Sequence, residues 1–269
     1  ATAGVQAPRL FAAIADAAMS RLGEFSPQGL AITAWAFATT GVDAPRLLQA
    51  IAEVAPQKAQ DFNSQSIANL AFAYAMASVD APRIFDMIAE AAPPRLHEFH
   101  SHDIATTVRA FATAGVNAPR LFDAIASALP SRLDEFTPQG LSSIVWAFAK
   151  ASVDAPGLFE AIADAAERHV GELNTQALEK TAWAYATAGV YAPELFAAIA
   201  DAAQPQVGDF HAQDIANLAW AFAKAGVDAP ELFSAIAGAV PSRLDEFHSQ
   251  GLSSTVWAFA TAGVDAPQL

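Results

Sequence analysis

Hydrogen-bonding side chains recur in this chain at one fixed interval. Asn69, Thr106, Ser143, Lys180, Asn217 and Ser254 stand 37 residues apart. Such side chains can bond the edges of nucleobases, and modules that read one base per repeat use two or three of them in each repeat. Cations fall in the same frame and suit phosphate: Arg109, Lys150 and Lys224, with Lys180 itself. No nucleophile–base pair, phosphate loop or paired-carboxylate arrangement recurs with the interval, so the residues argue against an enzyme. The stretch His97-Glu98-Phe99-His100-Ser101-His102 invites a metal reading. His100, however, shares its position in the interval with His211 and His248, where a helix is expected to begin. We therefore assign no metal, no cofactor and no small-molecule substrate.

The elements that hold these residues follow from the same interval. Proline stands at 8, 45, 82, 119, 156, 193, 230 and 267, every gap being 37 residues. Periods of about 20–50 residues mark solenoids, which present binding surfaces. Positions are called slots below, numbered by the first full unit, residues 25–61. Each unit reads as two helices. The first begins after a capping residue (Ser26, Asn63, Thr137, Asn174), whose side chain can accept from free N–H groups. It should run about 14 residues, or about 21 Å, and stop at Gly41, Gly115, Gly189, Gly226 and Gly263 or at Ser78 and Ser152. Glycine takes the left-handed conformation there without a Cβ clash. The second helix is expected to open at Asp43, Asp80, Asn117, Asp154, Asp228 and Asp265, with proline in its first turn. Its last turn is expected to carry Lys58, Arg95, Arg132 or Arg243, beside the negative end of the helix dipole. Apolar residues follow helical spacing in both (Leu30, Ala34, Phe37; Leu47, Leu48, Ile51), and nothing alternates with a period of two. The predicted fold is all-α: a right-handed α-solenoid of tandem helix-turn-helix units.

The expected organisation is one continuous solenoid over residues 1–269, with a partial unit 1–24, six full units 25–246 and a partial unit 247–269. Neither end carries the polar cap of a finished array, so the chain reads as a fragment of a longer one. No run of about 18 apolar residues is free of charge or proline, so no membrane span is expected. There is no cysteine, hence no disulfide or thiolate chemistry. Net charge is −14. The first helices carry four bases (Arg109, Lys150, Lys180, Lys224) against three acids (Asp103, Glu179, Asp214). Almost all the acidity therefore lies on second helices and turns.

Variation among units marks where a ligand would be met. On the first helix, slots 29, 32 and 39 vary among Asn, Ser, Thr, Lys, Asp and small residues, with Ile32 and Met76 as apolar exceptions. The second helices vary too, from Arg9, Arg46, Arg83 and Arg120 to Glu194 and Glu231, as a drifting outer face does. In the third full unit, Arg109 replaces an aromatic otherwise present as Trp35, Phe72, Trp146, Trp183, Trp220 and Trp257. A buried unpaired Arg would be costly, so this slot is expected to keep an edge at the surface.

The stretch from Phe210 to Gly226, with Gln213, Ile215, Ala216, Asn217, Trp220 and Phe222, resembles the octotricopeptide repeats and the related helical repeats found beside RAP domains. The resemblance covers essentially the whole chain. It implies paired antiparallel helices in a right-handed superhelix and single-stranded RNA held along the inner face. It also implies a chloroplast or mitochondrial setting and a role in RNA processing, stability or translation. The slot of Asn69 and Asn217 is then a reading position. The family repeat is usually 38 residues, and this one has 37. Acidity favours a second reading, a protein or peptide scaffold or a structural subunit. A third reading is a recently amplified array with no fixed ligand, since Pro130–Phe136 recurs nearly unchanged as Pro241–Phe247.

Overall fold

A computed structural model describes residues 7–77 and 79–264. Among them are fourteen α-helices and no strand. The chain forms two compact units, one ending at Ala128 and the other beginning at Leu129. Each is an α-solenoid stack. The first contains α1 (Pro8–Met19), α2 (Pro27–Thr40), α3 (Pro45–Val54), α4 (Ser64–Ala77), α5 (Pro82–Ala91), α6 (Ser101–Ala114) and α7 (Pro119–Ala128). The second contains α8 (Pro138–Lys150), α9 (Pro156–Arg168), α10 (Thr175–Ala188), α11 (Pro193–Ala203), α12 (Ala212–Ala225), α13 (Pro230–Ala239) and α14 (Ser249–Ala262). Even-numbered helices are the first helices of the repeats and odd-numbered ones the second.

The first helices begin and end as their sequence dictates. Ser26, Thr137 and Asn174 accept from the backbone N–H three residues on, and Asn63 Oδ1 does the same for Ser66. His100, His211 and His248 occupy the same slot without a side-chain bond. Gly41, Gly115, Gly189, Gly226 and Gly263 close their helices in the left-handed region, with φ between 64° and 69°. Ser152 does so with a side chain, at φ 55°. Ser78, expected at the same place, and Asp265 lie outside the described residues.

The second helices depart from expectation at both ends. Their N-cap is the alanine before proline (Ala44, Ala81, Ala155, Ala192, Ala229), and no side chain caps them. The acid at the slot of Asp43 therefore sits one residue outside the helix. At the other end, Lys58, Arg95 and Arg243 lie beyond the α-helix in a third element, the 3-10 segments Ala55–Asp61, Pro93–Glu98 and Val240–Glu246. They reach back rather than neutralising a helix end. Lys58 Nζ donates to the carbonyls of Gly23 and Phe25, at 2.9 and 2.6 Å. Arg95 donates to Phe62 O at 3.0 Å and Arg243 to Phe210 O at 2.9 Å. The ties to Phe25, Phe62 and Phe210 join the end of a repeat to its own first residue, and Lys58 and Arg243 also reach a glycine carbonyl of the preceding repeat, Gly23 and Gly208.

Repeats are held together by two layers. Within each unit, first helices pack directly on the next first helices: α2 on α4 on α6, and α8 on α10 on α12 on α14. Alanines at the contact (Ala31, Ala34, Ala71, Ala182, Ala216, Ala219) are fully buried and let the axes approach. Second helices meet mainly through the 3-10 segment of the repeat before. Across the layers, a ring of one repeat meets a ring of the next edge to face. Phe85–Phe111, Phe159–Tyr185, Phe196–Phe222 and Phe233–Phe259 have centroids 5.0–5.1 Å apart. Such pairs add about 0.5–1.5 kcal/mol beyond the area they bury. Where the first-helix ring is tyrosine, its hydroxyl donates to a carbonyl of the preceding repeat: Tyr74 to Leu48 O and Tyr185 to Phe159 O, at 2.6 and 2.7 Å.

Ser152 holds a conformation that five other repeats give to glycine. Relief of its Cβ strain opposes the extra unfolded-state entropy of glycine. Ser152→Gly is expected to stabilise the protein by about 0.5–1 kcal/mol, read as a rise in thermal midpoint; a fall would show that the serine hydroxyl supports the turn.

Candidate nucleic-acid interface

The face that the first helices leave open is set by which slots the packing uses. Slots 30, 33, 34 and 37 enter the core, as Leu30, Leu70, Ala34 and Phe37 show. Slots 29 and 31 turn toward the neighbouring first helix. Ser66, Asp103 and Ala177 at slot 29 are buried, and so is Glu179 at slot 31. A Cβ on Gly251 would lie 3.7 Å from Ala216 Cβ of the repeat before. Slots 28, 32, 35 and 39 remain on the surface, in steps of four, three and four residues along one helix face.

Slot 29 is therefore no reading position: it belongs to the contact between repeats. The sequence signal that finds the true face is the spacing of the near-constant Gln and Trp slots with slots 32 and 39. The Arg109 substitution points the same way for the aromatic slot. The aromatic slot is half-buried throughout, and Trp257 in the last described repeat is 43% exposed.

In the second unit the open face is a grid. One column reads Gln139, Gln176, Gln213, Gln250; the next Ser143, Lys180, Asn217, Ser254; the third Trp146, Trp183, Trp220, Trp257; the last Lys150, Thr187, Lys224, Thr261. It holds three lysines and no carboxylate. Lys180 Nζ lies 5.8 Å from the centroid of Trp146, a cation–π contact between neighbouring repeats. Lys150 and Lys224 are exposed, and neither forms an ion pair among the described residues. In the first unit the columns read Gln28, Gln65, His102; Ile32, Asn69, Thr106; Trp35, Phe72, Arg109; Thr39, Met76, Thr113. Arg109 stacks over Phe72 at 5.6 Å, which keeps its guanidinium at the surface. Ile32 and Met76 are 49% and 56% exposed, so this face is more apolar.

The structure thus brings Ser143, Lys150, Lys180, Asn217, Lys224 and Ser254 onto one face, and Asn69, Thr106 and Arg109 onto the corresponding face of the first unit. Asn217 is the most constrained. Its Nδ2 donates to Glu179 Oε1 at 2.8 Å, and its Oδ1 accepts from Gln213 Nε2 at 2.9 Å. One N–H and one lone pair stay available. Ser143 Oγ donates to Gln139 O at 2.9 Å. The three first-helix acids all lie off the face. Asp103 is buried with Oδ2 unpaired, Glu179 is buried, and Asp214 is partly covered. Burial pushes the Glu179 carboxyl up to about 7; nearby Asp214 adds to this, while the Asn217 bond and Lys180 oppose it. Burial likewise raises Asp214 above the ordinary carboxylate range. Among the described residues no cluster of three His, Cys, Asp or Glu is placed to hold a metal ion, and no helix is long and apolar enough to cross a membrane.

The model of one protein family, described as RNA-editing substrate-binding complex 6 protein, matches residues 1–187 and, overlapping, residues 133–266. No curated protein matches the chain.

The raised Glu179 pKa makes stability depend on pH. The folded protein keeps a proton that the unfolded carboxyl, with its pKa near 4.5, has already released. This contribution is complete below about pH 4.5 and is lost as pH rises through 7. Against Glu179→Gln, which keeps the Asn217 partner, the wild type should be equally stable near pH 4.5 and weaker by about 3 kcal/mol at pH 8.5. Denaturant melts of the two proteins across that range check it, and a constant difference would show a carboxyl with no such shift.

Proposed function

The chain belongs to the RNA-editing substrate-binding complex 6 (RESC6) family, whose model covers nearly all of it, and from that premise we propose that it is a non-enzymatic RNA-binding subunit of such a complex. The family is one of RNA-associated helical repeat proteins, rather than specifically the octotricopeptide repeats that the motif resembles. The observation that carries the proposal is the charge of the open face. In a chain of net charge −14, the grid of the second unit presents three lysines, four tryptophans and no acid.

That arrangement suits single-stranded RNA. The Trp slots offer ring surface on which bases can stack, and base–aromatic stacking is worth about 1–3 kcal/mol per base. The Gln slot and the slot of Asn217 supply donors and acceptors beside each ring, one set per repeat. Lys150, Lys180 and Lys224 supply phosphate contacts. The acids do not cancel this. Those on the second helices, such as Glu160, Glu194 and Glu231, stand on the far layer. One helix diameter of about 10 Å is already about a Debye length at 0.1 M salt. The resemblance implies a chloroplast or mitochondrial setting, and of the two the mitochondrial one is part of the same proposal.

A second reading rests on its own observation. The first unit's face carries a single Arg and exposes Ile32 and Met76 beside Trp35 and Phe72. That surface fits an apolar protein neighbour within the complex better than a phosphate backbone.

Three measurements test the RNA reading. Three lysine contacts predict a salt slope of about −2, so affinity for a single-stranded RNA pool should fall about 20-fold from 50 to 200 mM salt. A Lys150/Lys180/Lys224→Glu triple variant should fold normally and lose the binding; retained binding would remove those lysines from the mechanism. Trp183→Ala should weaken RNA binding by about 5- to 100-fold. It should cost less stability than Phe196→Ala, which empties a fully buried ring site at about 3–5 kcal/mol. If the two variants lose equal stability and Trp183→Ala keeps full affinity, the Trp column belongs to the core.

A further inference from the structure

Where a first helix ends and the second begins, the Val-Asp-Ala-Pro turn of one repeat lies against the end of the next first helix. Two of these junctions in the second unit enclose cavities of about 270 Å³ each, one repeat apart. The earlier one is lined by Ser152, Asp154 and Thr187 among apolar neighbours. The later one has Tyr191 and Lys224 at the equivalent places, each 37 residues on. One cavity therefore carries a carboxylate and two hydroxyls, and the other the Tyr185 and Tyr191 rings and an ammonium. The change in formal charge is from −1 to +1.

Tyr191 is the odd residue of its slot. The other described repeats have Asp43, Asp80, Asn117, Asp154 and Asp228 there. It does not serve the core, since it is 80% exposed, and it does not cap α11, whose N-cap is Ala192. An acid is absent from the lining of this cavity, and Val190, Val227 and Ala225 give it apolar walls. The volume is below the range of about 300–1,000 Å³ that drug-sized ligands fill, so one ring system is what it takes. Lys224 belongs at once to this cavity and to the slot 39 column of the open face, which makes the cavity a side pocket of that face.

We propose that the cavity between Tyr191 and Lys224 is a nucleotide pocket: it takes one base of the bound RNA, stacked on the Tyr191 ring, with the adjoining phosphate on Lys224. The proposal rests on the RNA reading of the face and adds one fixed contact at its edge. The sequence context is specific to this repeat, so the pocket sets the register of the strand rather than repeating with it. An aromatic peptide side chain would fit the ring but would gain little from the ammonium, whereas a nucleotide uses both.

Tyrosine labelling isolates the contact. The chain has three tyrosines: Tyr74 and Tyr185 are fully buried, Tyr185 in the cavity wall, and Tyr191 is exposed, so its ring signals are identified as those absent from Tyr191→Phe. Ring-¹³C-tyrosine protein would be titrated at 50 mM salt with 12-nucleotide oligo(U) and oligo(A), with tryptophan fluorescence followed in the same samples. The expected result is a shift of the Tyr191 ring resonances together with the tryptophan change. Tyr191→Ala should weaken binding about 5- to 100-fold, and Tyr191→Phe, which keeps the ring, should bind as the wild type does. A tryptophan response with unmoved Tyr191 signals and an unweakened Tyr191→Ala would overturn the pocket and leave the RNA face standing. No response from either probe, with any RNA, would overturn both. A Tyr191 shift produced by an aromatic peptide and not by RNA would also overturn it.

Discussion

One repeat is fixed on the next by a ring pressed edge-on into a ring. Phe85 meets Phe111, Phe159 meets Tyr185, Phe196 meets Phe222 and Phe233 meets Phe259, all with nearly the same separation. The contact joins the second helix of one repeat to the first helix of its successor, so it sets the rotation of each first helix about its own axis. That rotation decides which four slots face outward. The tyrosine variants strengthen the same joint, because their hydroxyls answer a carbonyl of the repeat before. Lys58 and Arg243 of the 3-10 segments add a second tie between repeats, to the carbonyls of Gly23 and Gly208. With the ring joint in place, alanine contacts suffice for the rest, and close approach of the first helices becomes possible.

Close approach has an electrostatic consequence. A carboxylate at slot 29 or 31 is squeezed between helices, as Asp103 and Glu179 are, and is withdrawn from the open surface. Glu179, its pKa raised to about 7 by burial, accepts from Asn217 Nδ2, and Asn217 Oδ1 in turn accepts from Gln213 Nε2. The amide network therefore orients a face residue from beneath. Acids elsewhere are placed on second helices and turns, away from the open face. The outcome is a layer whose outward side is free of negative charge, although the molecule as a whole carries much of it.

The two units use the same scaffold for different surfaces. In the second, every aromatic slot is tryptophan and lysines stand on both sides of the column. In the first, the aromatic slot passes from Trp35 through Phe72 to Arg109, and its flanks hold Ile32 and Met76. A repeat fold allows this because slots 28, 32, 35 and 39 lie outside the core. Their identities change with little effect on the joint between repeats.

The sequence by itself determined the period, the first-helix boundaries and the all-α class. Those depend on local chemistry: caps at Ser26, Asn63, Thr137 and Asn174, left-handed closure at Gly41 and its equivalents, and proline at a helix start. It also placed Asn69, Thr106, Arg109, Ser143, Lys150, Lys180, Asn217, Lys224 and Ser254 in one register, and the Arg109 exchange showed that the aromatic slot keeps an edge in water. Only the tertiary structure decided which neighbouring slot shares the face with them. Slots 28 and 29 differ by one residue and about 100° of helix rotation, and the packing of the next helix chose between them. The 3-10 element was equally illegible, because Lys58, Arg95 and Arg243 find their partners 33 residues away, at the opposite end of the repeat. A contact made across a stack leaves no local signal. The same holds for the pocket at Tyr191 and Lys224, which are 33 positions apart in the chain and share one cavity only because the repeats are stacked.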